Sequence, residues 1–113
     1  MTAVPKAGEI VIVDFPGVQG VKRRPAIIIS SDLYHQSRPD VIVALITSQL
    51  SAANKPTDHI LQDWQAAGLR APSAFRAFLN TLPRTAVTAV VGRASDNDWQ
   101  QIVSKVLAAL ASS

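Results

Sequence analysis

Three β-branched runs succeed one another in the first half of the chain, with only short, turn-rich connections between them. That spacing constrains the fold more than any other feature. Glu9-Ile-Val-Ile-Val-Asp-Phe15 stops at Pro16-Gly17, and Arg24-Pro-Ala-Ile-Ile-Ile-Ser30 and Asp40-Val-Ile-Val-Ala-Leu-Ile-Thr47 follow. Gly17, Gly20, Ser37, Pro39 and Asp40 punctuate the gaps as turn formers. A parallel crossover needs about a dozen residues or more, usually a helix, so the runs are read as antiparallel neighbours. The second and third runs are almost continuously apolar, which predicts burial on both faces, as in a small barrel. Further on, Thr57–Leu61 predicts a fourth strand and Trp64–Gly68 a brief helical turn ended by glycine. Ser73–Leu82 predicts a strand that closes the sheet.

The period changes near the C-terminus. Ser95 followed by Asp98 forms a capping box with Asp in the place of Glu. Asp96 and Asp98 also suit the positive end of a helix dipole. Trp99, Ile102, Val103, Val106, Leu107 and Leu110 then form one apolar stripe at helical spacing. The stripe reads as a helix packed on the sheet; a helix face offered to a partner is the other reading. The expected fold is therefore mainly β, a small antiparallel barrel with a long C-terminal α-helix.

Composition narrows the function. A length of 113 residues fits one domain, here 1–113. Apolar residues at 48% against 17% charged exclude disorder as the overall state. The absence of cysteine excludes a disulfide scaffold, a thiolate zinc site and a cysteine nucleophile. The longest apolar run, Val41–Ile46, is far shorter than the ~20 residues that span a bilayer. The first residues lack an apolar signal core, so a cytoplasmic protein is expected. Lys and Arg number 11 against 8 acids, a net +3, which makes polyanions plausible partners. Seven of those 11 are arginines, whose planar fork suits phosphate.

Most catalytic patterns are missing. His35 and His59 have no second ligand at helical or hairpin spacing and are expected on the surface or in loops. Carboxylates are scattered singly except for Asp96 and Asp98, which the helix cap explains, so no metal site is expected. No G-x-S-x-G elbow exists, and Ser30, Ser31 and Ser48 sit at strand ends. Gly17-Val-Gln-Gly20 precedes Lys22, but no Gly-Lys-Ser/Thr step opens a helix.

Two clusters remain. In Lys22-Arg23-Arg24-Pro25, three cations meet a strand start, and the proline ring pushes Arg24 into an extended conformation, presetting its direction. The plain reading is a solvated basic turn. In Ile46-Thr47-Ser48-Gln49, two hydroxyls and an amide appear where the third run stops. Ser and Thr there can simply be bonding their own backbone, or Thr47 can hold a phosphate oxygen. If the second and third strands are neighbours, Arg24 and Thr47 line one groove.

These residues carry a resemblance. Gly8-Glu9-Ile10 leading into Val13-Asp14-Phe15, then Arg24-Pro25-Ala-Ile-Ile-Ile, then Ala44-Leu-Ile-Thr47-Ser48, resembles the MazF/PemK family of toxin endoribonucleases. Pro56-Thr57-Asp58, Ala67-Gly68-Leu69, Ser73, Thr81-Leu82 and Gly92-Arg93 look like its weaker landmarks, so the similarity covers nearly the whole chain. The resemblance implies an SH3-like antiparallel β-barrel with a terminal helix, and a homodimer. It implies metal-independent, sequence-selective cutting of single-stranded RNA, often messenger RNA, with no cofactor. It also implies a small acidic antitoxin whose disordered segment lies along the RNA groove. The family's catalytic Arg and Thr fall on Arg24 and Thr47. Gln19, Lys22, Arg23, Ser48, Gln49 and Arg76 are the accompanying RNA-binding candidates. The chain departs from the family in two places. Gly17-Val18-Gln19-Gly20 stands where a Ser-Glu-Gln stretch is common. Arg76-Ala77-Phe78-Leu79-Asn80-Thr81 lacks the usual acid, which leaves the general base unassigned. Two alternatives belong beside this reading. One is a non-enzymatic gyrase poison resembling CcdB, against which the chain's end, Leu110-Ala-Ser-Ser113, offers no terminal aromatic. The other is a non-catalytic RNA-binding barrel, for which only six aromatics are available.

Overall fold

The computed structural model describes residues 4–17 and 20–111. Strands β1 (Glu9–Gly17) and β2 (Gly20–Ile28) are followed by a short helix α1 (Asp32–Ser37) and β3 (Asp40–Thr47). Then come β4 (His59–Ile60), β5 (Ala74–Pro83), β6 (Val87–Arg93) and helix α2 (Asp96–Ala109). All strand pairings are antiparallel, in the order β4-β5-β3-β2-β1-β6. The fold is mainly β, a curled six-stranded sheet with one long C-terminal helix, as the sequence led us to expect. No helix among the described residues is long and apolar enough to cross a membrane.

The near-continuous apolar runs are buried on both faces. On one face Ile10, Ile27, Ala44, Ile46 and Phe75 pack with Leu61, Ala67 and Ile102 of α2. On the other, Val11, Val13, Ala26, Ile28, Val41, Val43 and Leu82 form a second cluster, flanked by Phe15 and Val87. Each face supplies its own core, because strand side chains alternate between faces.

The curl is finished by packing rather than by pairing. The segment between β4 and β5 meets β6 backbone to backbone. A Cβ on Gly92 would lie 2.0 Å from the Ala67 carbonyl oxygen, and one on Gly68 would lie 2.3 Å from that of Val91. Only glycine allows so close an approach. Gly68 also ends the predicted helical turn at φ +90°. Leu69 N–H donates to Trp64 O and Gly68 N–H to Gln65 O, the paired bonds of a Schellman stop.

The structure differs from the sequence reading in four places. Helix α1 spans only six residues, too few for a periodic pattern to show. Strand β6 is interrupted by two register shifts against β1 and interleaves Thr and Ala with Val, so no β pattern stands out. His35 is not a surface residue: it is 8% exposed and its Nε2 lies 2.6 Å from the Ser30 hydroxyl. The stripe on α2 is only partly covered. Ile102 is buried and Trp99 and Val106 pack on the core, whereas Leu107 and Leu110 are exposed.

Candidate active site

The β2–β3 register brings the two main candidates together. Ala26 pairs with Leu45, Ile27 with Ala44 and Ile28 with Val43. Continued two positions beyond the Ala26–Leu45 pair, the same register would set Arg24 opposite Thr47. The ladder stops there because Pro25 has no N–H to donate, so the strands end as the two walls of an opening. That opening is a cleft of about 660 Å³, lined by Arg24, Thr47, Ser48, Gln49 and Ser73 and floored by Ile12, Pro25 and Ile46. Gly68 to Ala71 bound its far side.

The neighbouring cations Arg23 and Arg24 differ in their partners. Arg23 lies directly across from Asp14, and its Nε donates to Asp14 Oδ1 at 2.9 Å. The hydrogen bond and charge of Asp14 hold the Arg23 guanidinium more firmly protonated than usual. Arg24, exposed on the same strand, is among the residues lining the cleft and has no ion-pair partner among the described residues. Arg23 is thus held by Asp14, and Arg24 is left as an exposed, unpaired cation in the lining of the cleft.

The local reading of Thr47 is met. Its Oγ1 accepts from the Gln49 N–H at 3.1 Å, a local Ser/Thr turn. Because that bond uses a lone pair, the hydroxyl proton remains free to donate into the cleft.

The far wall is held from behind by Asp98. This carboxylate is fully buried. It accepts from Gln62 N–H at 3.0 Å, from Asp63 N–H at 2.9 Å and from His59 Nε2 at 2.8 Å. Burial alone would raise its pKa. The Gln62 N–H, His59 and Asp63 N–H bonds outweigh that and hold it below the usual carboxylate range. The capping box is thus only half formed. Ser95 Oγ accepts from Asp98 N–H, but the Asp98 side chain turns to the β4–β5 segment. That segment then runs through the Gly68 stop to Arg70, which enters the cleft.

Of the sequence candidates, Arg24, Thr47, Ser48 and Gln49 converge on the cleft. Lys22 is exposed on β2, Arg23 is paired with Asp14, and Arg76 is half-buried on β5; none of the three lines it. Gln19 and Val18 lie outside the described residues. Arg70 and Ser73 line the cleft without having been singled out as binding groups. The one signal for Arg70 was its place two residues beyond the helix-stopping glycine. No Asp, Glu or His is among the residues lining the cleft, and no three potential metal ligands converge among the described residues.

Comparison with known proteins places the chain. The family model described as PemK-like, MazF-like toxin of type II toxin-antitoxin system matches residues 6–110. No curated protein matches in sequence. Among solved structures, an endoribonuclease in complex with its cognate antitoxin from a mycobacterial species superposes with a TM-score of 0.76 at 16% identity, covering 93% of each chain. MazF from Deinococcus radiodurans gives 0.73 at 22% identity, covering 95% of this chain and 96% of that one. The MazE–MazF complex of the same organism gives 0.71 at 19%, covering 97% and 100%. At these identities the structural likeness shows the fold.

Proposed function

The chain belongs to the PemK-like, MazF-like family of toxins of type II toxin-antitoxin systems, and on that premise we propose that it is a metal-independent endoribonuclease cutting single-stranded RNA in the Arg24–Thr47 cleft. The observation that supports the reading is that Arg24, unpaired among the described residues, and the Thr47 hydroxyl line one cleft at the end of the β2–β3 ladder.

RNA brings its own nucleophile. The 2′-oxygen attacks the adjacent phosphorus, the bond from phosphorus to the 5′-oxygen breaks, and that oxygen takes up a proton. The products are a 2′,3′-cyclic phosphate and a 5′-hydroxyl. Arg24 stabilises the charge that builds on the non-bridging oxygens, bidentate through its fork. Thr47 donates its hydroxyl to a phosphate oxygen and so fixes the phosphate for in-line attack. With no carboxylate or imidazole among the described residues lining the cleft, the 2′-proton passes to water or to a group outside that lining.

The same reading assigns the partners. A small acidic antitoxin fits a cleft walled by arginines, and two of the similar structures are complexes with antitoxins. A second copy of the chain extends the groove, and messenger RNA as substrate places the protein in the cytoplasm. The test incubates the protein with a long single-stranded transcript in excess chelator. Cleavage by the wild type and none by Arg24→Ala is expected. Intact RNA, or equal cutting by the variant, would overturn the proposal.

A further inference from the structure

We propose that Arg70 is a second phosphate-binding cation, which holds the RNA backbone at a phosphate flanking the one Arg24 engages. This deepens the RNA-cleaving reading and rests on it.

Arg70 lines the same cleft as Arg24, and no other charged side chain among the described residues is in that lining. Among the described residues it has no ion-pair partner. Arg70 is exposed and no described carboxylate lines the cleft beside it, so its fork is open to an incoming phosphate. The cleft, at about 660 Å³, is too large for one phosphate and accommodates a stretch of backbone. A strand lying along it passes both arginines.

The position of Arg70 is built rather than left to a free loop. Before it, Leu69 N–H is bonded to Trp64 O at 3.2 Å, and Gly68 is locked against Val91 and Gly92. After it, the buried Ser73 donates its hydroxyl to Ala71 O at 2.8 Å. The Ser73 carbonyl accepts from Leu61 N–H at 3.0 Å. The segment is anchored further back by Asp98 through the Gln62 and Asp63 N–H groups. A guanidinium on so fixed a backbone loses less freedom on binding than one on a mobile loop. Asp98 is thereby a positioning residue for the far wall.

The test separates phosphate binding from cutting. A mixed-sequence single-stranded oligodeoxynucleotide has no 2′-hydroxyl, so it binds without being cut. Its affinity is measured against salt concentration for the wild type, Arg70→Ala and Arg70→Lys. Each phosphate neutralised in a single strand contributes about −0.7 to the slope of log affinity against log salt. The slope should become shallower by about 0.7 in Arg70→Ala and be kept in Arg70→Lys, which retains the charge. On RNA, Arg70→Ala should raise KM about tenfold with kcat nearly unchanged, because a flanking contact binds substrate and transition state alike. An unchanged salt slope in Arg70→Ala, or no binding of the strand by the wild type, overturns the inference. If the wild type cuts RNA and Arg24→Ala does not, an unchanged slope refutes the role of Arg70 alone. If RNA stays intact, the failure lies with the cleavage reading itself.

Discussion

Replacing Asp98 by Ala is expected to destabilise the protein by about 3–5 kcal/mol, the range for removing one partner of a buried charged network. The carboxylate is fully buried and accepts three hydrogen bonds between 2.8 and 3.0 Å, from His59, Gln62 and Asp63. Bonds to a charged acceptor contribute about 1.5–3 kcal/mol each, and the deleted oxygens leave two backbone N–H groups unpaired at about 1–3 kcal/mol each. Release of a buried charge offsets part of that sum. A residue serving only the first turn of a helix contributes much less, about 1 kcal/mol for a cap or about 0.3–1 kcal/mol for a dipole contact. The two roles are therefore separable by size. Urea unfolding followed by tryptophan fluorescence measures the difference, and a thermal melt should fall by about 10–20 °C for a chain of this length. Asp98→Asn, which keeps one acceptor oxygen, should lose about half as much. A loss below about 1 kcal/mol in Asp98→Ala would refute the hub and reduce Asp98 to a capping residue.

Other consequences follow from the same geometry. Burial first, and the nearby Arg84 second, push the His35 imidazole below its usual pKa. The unfolded chain takes up that proton while the folded one resists, so stability should fall as pH drops below about 6.5. In His35→Gln, unfolding measured between pH 7 and 5 should lose that slope. The Asp98 carboxylate, held below its usual range, contributes stability that is full above pH ~3.9 and is lost as pH falls through its folded pKa. Asp98→Asn should flatten the acid limb of the unfolding curve. Gly92→Ala places a methyl 2.0 Å from the Ala67 carbonyl oxygen, so urea unfolding should show a loss of about 3 kcal/mol. Thr47→Ala removes one local bond to Gln49 and should change stability by less than about 1 kcal/mol. Its rate of RNA cleavage should drop about 100-fold, as for the loss of one transition-state donor.

Much of the site was readable in the sequence because it depends on near neighbours. Pro25 presets Arg24 by local sterics, and the apolar run of β3 ends at Thr47 in both sequence and structure. The register of one antiparallel pair, β2 with β3, was enough to bring the two to one end of the ladder. Gly68 was legible as a helix stop for the same reason, since a Schellman turn is a local object. The remainder depends on residues far apart in the chain. Asp98 and His59 are 39 positions apart, and nothing in either neighbourhood signals the pairing. Ser95 followed by Asp98 read as a complete capping box, when half of that box bonds another segment. Arg70 carries no local signal, because its segment reaches the cleft only through the contact of Ala67 and Gly68 with β6. The α2 stripe was read correctly as helix, but its width exceeds what the sheet covers, leaving Leu107 and Leu110 exposed.

The central claim is that Arg24 and Thr47 promote attack by the RNA's own 2′-hydroxyl. The chemistry of the cut ends tests this most directly. Fragments produced in excess chelator are offered to polynucleotide kinase without prior phosphatase treatment, and their 3′ ends are examined for a cyclic phosphate. The account predicts 5′ ends that accept label at once and 3′ ends carrying a 2′,3′-cyclic phosphate, with neither formed by Arg24→Ala. Fragments bearing 5′-phosphate and 3′-hydroxyl would show that a water molecule, not the 2′-oxygen, attacks the phosphorus, and would contradict it.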